Sequence, residues 1–436
     1  MALLQSLNTR KLLKRPASLQ ISKSGTDLFV GTYQLHSEVN SVENRSSYDG
    51  ELYLINMDDL NVMSTIKLNA GIFRFTLDES GNQVLALTDG SLAIVKCCNE
   101  ELSSTLQFKV CSQMLLDCSI LENKIVCTNT KGQLFLVNSL DGSIISTFVA
   151  HISKYCSDEC EVWCCKWLDR QICATGAEDD ILKIWDLRCS SCSIGIPQIV
   201  GKMFKHSAGV TSLYKPIDDY QIMTGSYDDH FRLFDWRNLA KPLSTLKVNG
   251  GVWETSQISN DCYLLACMYG GLCIVRKCAN SALELVHDWK SNNSSDLCYG
   301  AKAVPIIENE FDEDIKFKIF SCFFNDYSIK TLNKHSFLDK VLARLLYFKM
   351  TTETDLKTFR DFLLQYNAVT EHCFNNCVVD FSKREVSEKE NLCTKNCMEK
   401  FLKAGQRLSL RFQEHQMLNM EAQGAPIAVS TEASKT

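Results

Sequence analysis

The chain has 436 residues, a net charge of −6 at neutral pH and 45% hydrophobic residues, enough for two domains with buried cores. The acidic balance speaks against a nucleic-acid partner held through phosphate contacts. No apolar run reaches the roughly 18 residues of a membrane-spanning helix. Residues 1–6 lack the apolar core of a secretion signal before Lys11, Lys14 and Arg15 arrive, so no secretion is expected. Of the 22 cysteines, 18 precede residue 330, mostly at apolar strand positions such as Cys127, Cys173, Cys267 and Cys322, where a reduced thiol acts as a small hydrophobe. Cys189-Ser-Ser-Cys192 has zinc-like spacing, but no second pair follows, and no metal site is expected. Cys156 and Cys160 share a spacing of four in a predicted loop.

Up to about residue 334 the chain repeats. Gly71-Ile72-Phe73, Glu161-Val162-Trp163, Gly209-Val210-Thr211 and Gly251-Val252-Trp253 align at roughly 40 to 48 residues where consecutive. Further blocks start near Ala17, Met114 and Tyr299, making seven. Each block reads as short alternating strands broken by turns, clearest at Gln171–Arg188 and Gln221–Arg237. There a strand, an acidic turn and a second strand end in Trp185-Asp186 or Phe234-Asp235. This is the WD40 signature, with one four-stranded blade per repeat, and it predicts an all-β seven-bladed propeller over residues 1–334.

Such propellers are binding platforms, so chemistry must be argued from particular residues. The turn pairs Asp179-Asp180 and Asp228-Asp229, and His206, read as blade-orienting hydrogen-bond groups rather than acid–base machinery. Phe73, Trp163 and Trp253, with Tyr299 near the equivalent place, begin their blades and are expected at the channel mouth. With Tyr227 nearby and Glu161 as an acid, they suit a cationic apolar ligand such as a trimethylammonium group. The competing reading is that these rings wedge the blades together.

Several segments resemble the WD40 diphthine methyl ester hydrolases, also called diphthine methyltransferases. They are Val30–Leu35, Gly50–Leu54, Thr224–Asn238, Gly250-Gly-Val-Trp253, Leu264–Gly270, His287 and Tyr299-Gly-Ala301. The resemblance covers essentially the whole propeller. It implies a cytoplasmic enzyme without cofactor that removes the methyl ester of methylated diphthine, a modified histidine of elongation factor 2 that carries a trimethylammonium group. Ester hydrolysis needs a base or nucleophile and an oxyanion donor, for which His287 or Glu161 and then Tyr299 are the candidates. The chain departs from the family at Lys302, where an acid and a tryptophan are expected after Ala301.

From about residue 335 the blade pattern stops. Residues 335–349 read as a linker, and 350–436 as two helices, about Thr354–Asp380 and Ser387–Gln416, the second opened by the capping box Ser387-Glu-Lys-Glu390. Phe359, Phe362, Leu363, Tyr366 and Val369 recur at helical spacing, as a core or as a client-binding face. Cys373 and Cys377 lie one turn apart on one face, as do Cys393 and Cys397. Two such helices packed antiparallel would bring Cys373 near Cys397 and Cys377 near Cys393, close enough for two nested disulfides, although four helical cysteines could instead hold zinc.

The twin Cys-x3-Cys pattern, with Asp361-Phe-Leu, Asp380–Val386 and Leu408–Glu414, resembles the small TIM chaperones. That resemblance implies a disulfide-stapled hairpin in the mitochondrial intermembrane space. It also implies assembly with other small TIM subunits into a hexamer that shields hydrophobic inner-membrane precursors. The two halves want opposite redox surroundings. Three readings follow: two separate proteins conjoined in one reading frame with Met350 as the second start, a true fusion, or a noncatalytic WD40 scaffold carrying a chaperone.

Overall fold

The structure is a computed structural model that describes residues 5–35, 48–153, 160–188, 198–200, 203–216, 220–291, 295–306, 316–335, 369–378, 387, 389–398 and 400. The chain divides into two compact units, 1–340 and 341–436. The predicted linker, beyond His335, lies outside the described residues, as do Cys156, Cys189 and Cys192.

Unit one is a seven-bladed β-propeller. Blade 1 contains the strands Pro16–Ile21, Asp27–Thr32, Tyr48–Asn56 and Val62–Leu68, and blade 2 runs from Ile72–Leu77 to Glu101–Lys109. Blades 3 to 6 open with Leu115–Leu121, Cys164–Asp169, Val210–Tyr214 and Glu254–Ser259. Blade 7 combines Cys298–Ile306, Lys316–Phe323 and Ser328–His335 with the N-terminal strand Gln5–Lys11, whose Lys11 pairs opposite Ser328. This splice ties the two ends of the unit together in one sheet and closes the ring of blades, with Gln5–Lys11 as the outer edge strand of blade 7. The repeat reading, which opened near Ala17, did not include this strand, because Gln5-Ser-Leu-Asn-Thr-Arg-Lys11 has no apolar alternation to announce it.

The burial patterns explain why the strands read as they do. Second strands such as Gln83–Leu87 are buried at every position, because neighbouring blades cover both faces. Outermost strands such as Ile144–Val149 alternate between exposed and half-buried. Seven apolar clusters fill the seven spaces between adjacent blades, including Leu19–Phe320 between blades 1 and 7 and Ile184–Phe234 between blades 4 and 5. Cys127, Cys173, Cys267 and Cys322 are free thiols buried in these wedges.

The acidic turns have the expected structural role. Both oxygens of Asp179 lie 2.9 Å from His151 Nδ1, His151 Nε2 is 2.7 Å from Thr175 Oγ1, and Trp185 Nε1 donates to that hydroxyl at 2.8 Å. In blade 5, His206 Nε2 lies 3.0 Å from Thr224 Oγ1, while Arg232 donates twice to Asp228. The second aspartate of each pair, Asp180 or Asp229, has a positive φ of 67° or 60°, a conformation aspartate tolerates better than most residues.

In unit two, the described helical segments cover 369–377 and 389–398. Disulfides join Cys373 to Cys397 and Cys377 to Cys393, with Cα–Cα separations of 5.7 and 5.5 Å. All four sulfurs are thereby engaged, so none is a thiolate ligand for zinc. Glu390 Oε2 accepts from Ser387 N at 2.9 Å and Ser387 Oγ accepts from Glu390 N at 3.4 Å, the two reciprocal bonds of the predicted capping box. Val369 is buried, whereas Phe359, Phe362, Leu363 and Tyr366 lie outside the described residues.

Candidate functional site

The mouth of the propeller is built from two repeat-equivalent positions. The first is the blade entry. In blades 1, 2, 3, 5 and 7 the register of the innermost strand slips at its start, between Ile72 and Arg74 or Cys298 and Gly300 for example. The skipped residue is therefore an unpaired bulge that can be re-aimed away from the ladder. Ala17, Phe73, Leu116 and Tyr299 occupy these bulges and join one cluster. Trp163 and Trp253 reach the same cluster from immediately before their strands.

The second position follows the end of each blade's second strand. Tyr33, Tyr227, Met268 and Phe324 stand there in blades 1, 5, 6 and 7 and all join the cluster. Glu178 holds the equivalent place in blade 4 and accepts a 2.7 Å hydrogen bond from Trp163 Nε1. Of this second set, only Tyr227 was singled out from sequence. Tyr33, Glu178, Met268 and Phe324 carry no shared residue type or spacing motif that would have marked them as one set.

The rings pack on one another. Tyr299 stacks on Trp253 at 4.7 Å, Trp163 lies 5.7 Å from Trp253, Tyr227 meets Trp163 edge-on at 6.3 Å, and Tyr33 stacks on Phe73 at 5.6 Å. Phe73 and Trp253 are buried and form the floor, whereas Tyr33, Trp163, Tyr227 and Tyr299 are half-buried and form the rim. Burial first, and then the neighbouring Tyr299 phenol, pushes the Tyr33 and Tyr227 phenols above the usual range, and burial does the same to Tyr299. At neutral pH all three remain O–H donors.

The mouth carries both signs of charge, with Arg15 lying 5.1 Å from the centre of the Phe324 ring and the carboxylates of Glu178 and Glu161 gathered at blade 4. Glu178 is exposed, and its Oε2 stands 2.7 Å from Trp163 Nε1 and beside Gly209. Desolvation raises its pKa, as do the nearby carboxylates of Glu161, Asp180 and Asp179, against the opposing Trp163 N–H. Glu161 is half-buried on the entry to blade 4, and its carbonyl accepts from Glu178 N at 2.9 Å. The structure thus brings Phe73, Glu161, Trp163, Tyr227, Trp253 and Tyr299 to one mouth. It does not bring His287 there. That residue sits half-buried on the outermost strand Leu283–Trp289, opposite Ile274, three strand spacings or about 14 Å out from the innermost strand. Lys302 pairs with Glu254 at 2.7 Å, and Glu254 also accepts from Ala301 N at 3.2 Å.

Comparison with known proteins separates the two units. A family model described as "Tim10/DDP family zinc finger" matches residues 352–414. The Caenorhabditis elegans mitochondrial import inner membrane translocase subunit Tim9 is 60% identical over 80 residues, 18% of this chain and 89% of that protein. The chain belongs, through this segment, to the Tim9 family. The Homo sapiens Tim9 is 47% identical over 70 residues, covering 79% of that protein, and the two disulfides described above fit the twin-cysteine pattern of the Tim9 segment.

The WD domain, G-beta repeat model matches residues 142–186 and 198–235 of the propeller. The Mus musculus diphthine methyltransferase is 28% identical over 249 residues, 51% of this chain, and the chain spans half of that relative's length. The propeller is homologous to it over that stretch, so the chain joins a diphthine methyltransferase-like propeller to a Tim9 segment. A chain from a crystal structure of the mitotic checkpoint complex superposes with a TM-score of 0.56 at 13% identity, covering 76% of this chain and 92% of that one, a likeness of fold alone.

Proposed function

We propose that the propeller hydrolyses the methyl ester of methylated diphthine on elongation factor 2, in the cytoplasm and without a cofactor. The observation that carries this reading is the aromatic mouth with a carboxylate on its rim, in a propeller homologous to diphthine methyltransferase. A trimethylammonium group is apolar at its surface yet charged, so it binds best to π faces backed by an anion. Trp163, Tyr227 and Glu178 offer that combination, with Trp253 and Phe73 beneath.

In the proposed reaction, water adds to the ester carbonyl, the carbonyl oxygen takes up the electron pair, and collapse expels methanol and leaves the carboxylate. Glu161 serves as the general base that takes the water proton and returns it to the departing methoxide, which leaves as methanol. The protonated hydroxyls of Tyr299, Tyr227 and Tyr33 donate to the transient oxyanion. His287 has no part in this scheme.

The test is incubation of the full chain with elongation factor 2 bearing methylated diphthine, following methanol release and the loss of mass. Glu161→Gln should lower the rate about 100-fold, within the span of general-base effects, while His287→Ala leaves it unchanged. A folded chain that releases no methanol would sink the hydrolase reading. It would favour the noncatalytic scaffold, for which the Lys302–Glu254 pair in place of the expected acid is the supporting observation.

For the Tim9 segment, the proposed role is that of a small TIM chaperone in the mitochondrial intermembrane space. It would assemble with other small TIM subunits and shield hydrophobic inner-membrane precursors. Immunoblotting of fractionated cells against residues 399–416 separates the arrangements. A band at the full 49.3 kDa means a true fusion, whereas a much smaller band confined to the intermembrane space means two separate proteins.

A further inference from the structure

Directly below the aromatic mouth, one side chain bridges most of the ring. Arg74 follows the bulge that carries Phe73, so the same register slip that turns Phe73 into the mouth turns Arg74 into the channel. Its Nη1 donates to the Trp163 carbonyl at 2.7 Å, and its Nη2 to the carbonyls of Thr211 at 2.9 Å and Trp253 at 3.0 Å. Asp117 Oδ2 lies 3.8 Å from Nη1 and accepts from Cys165 N at 2.9 Å. One guanidinium from blade 2 therefore holds blades 4, 5 and 6 directly and blade 3 through an ion pair, with 13% of its side chain exposed. The planar fork of arginine can serve several separated carbonyls at once, which the compact ammonium of lysine does poorly.

Two of those carbonyls belong to the tryptophans of the mouth. A carbonyl held by a charge-assisted hydrogen bond holds its peptide plane, and so restrains the backbone from which the indole departs. The guanidinium also lies 4.7 Å from the centre of the Trp253 ring, where Tyr299 stacks as well. Trp253 is thereby covered and buried, whereas Trp163 and Tyr227, although they too pack on neighbouring rings, are half-buried and keep surface open beside Glu178 to receive a cation from outside.

We infer that Arg74 is the positioning residue of the mouth, setting the geometry of both tryptophans and steering a quaternary ammonium ligand to the side of Trp163, Tyr227 and Glu178. This rests on the reading of the mouth as a cation seat. The experiment titrates the full chain with tetramethylammonium chloride, read by tryptophan fluorescence well below the melting temperature. Wild type should bind saturably; absence of binding would defeat the cation-seat reading itself, and the inference with it. Arg74→Lys keeps the charge and loses the fork, and should weaken binding about tenfold while far-ultraviolet circular dichroism stays that of wild type. A merely structural arginine would lower the melting temperature and leave the affinity of the folded protein alone, and that result overturns the inference. Should Arg74→Lys fail to fold, Asp117→Asn retains the arginine and removes its ion pair. It should weaken binding about threefold, and unchanged affinity there also overturns the inference.

Discussion

The propeller and the hairpin use cysteine in opposite ways. In the propeller, Cys118 stands directly opposite Cys127 in a strand pair, yet both are free and buried. In the hairpin, cysteines of similar proximity are bonded, Cys373 to Cys397 and Cys377 to Cys393. Proximity does not separate the two cases. Desolvation pushes the Cys118 and Cys127 thiols well above their usual range, which denies them the thiolate that disulfide exchange requires. In the hairpin Cys373 and Cys377 are buried, but each is bonded to a cysteine that is not, Cys397 being half-buried and Cys393 exposed, so every bridge has one end within reach of an oxidant. The propeller fills seven inter-blade wedges and has no need of staples, whereas a short two-helix unit has little core to hold it.

The largest effect that sharpens this contrast is removal of a hairpin bridge. The disulfides span 24 and 16 residues, and loops of that size contribute about 3 kcal/mol each through restriction of the unfolded chain. Cys377→Ser, or full reduction, should melt the hairpin helices and open residues 369–398 to protease while the propeller strands stay intact. Retained helical dichroism and protease resistance after reduction would place the stability in packing rather than in the bridges.

Acid should break the regions in the other order. His206 is buried beside Arg232, and burial first, then that arginine, lowers its pKa from 6.5 to about 4. Its folded pKa is thus depressed, so the unfolded chain binds more protons between those values, and propeller stability falls as pH drops through that window. The contribution is on the order of 3 kcal/mol, complete above pH 6.5 and exhausted below about 4. His151, also buried, is shifted in the same direction, with the carboxylate of Asp179 opposing. Denaturant melts of the full chain between pH 4 and 7 should show the propeller transition moving, and His206→Gln should flatten its pH dependence. A flat wild-type profile would mean that both histidines are solvated in the folded state.

Much of this architecture was legible in the residues. The acidic turns and the Trp185-Asp186 and Phe234-Asp235 strand ends announced blades, and the cysteine spacing announced the hairpin. The closing strand Gln5–Lys11 was not legible, because it pairs at an outer edge where no apolar face is demanded. Half of the mouth was legible through its aromatic blade entries. The bulges that aim those entries, and Glu178 at the second position, were not, since a register slip leaves no mark in composition and a glutamate in an acidic turn looks solvated. His287 shows the reverse error. A histidine inside a family-like segment drew attention, but its strand runs along the rim farthest from the channel.

The smallest effect tests the claim that a propeller cysteine is only a hydrophobe. Cys173 is fully buried in the wedge between blades 3 and 4, and burial alone pushes its thiol far above the usual range. If it acts by filling space, Cys173→Ala removes one sulfur's worth of packing and should cost about 1 kcal/mol, with no dependence on added oxidant or reductant. Cys173→Ser keeps the shape more closely but buries a hydroxyl among Trp167, Trp185 and Leu134, where water cannot reach it, and should cost about 1–3 kcal/mol. Serine should therefore be the worse substitution, opposite to what similarity of size would suggest. Denaturant midpoints of the propeller transition decide it: serine tolerated as well as alanine would mean that this position offers a polar partner, and that the two regions differ less in their use of cysteine than the disulfides imply.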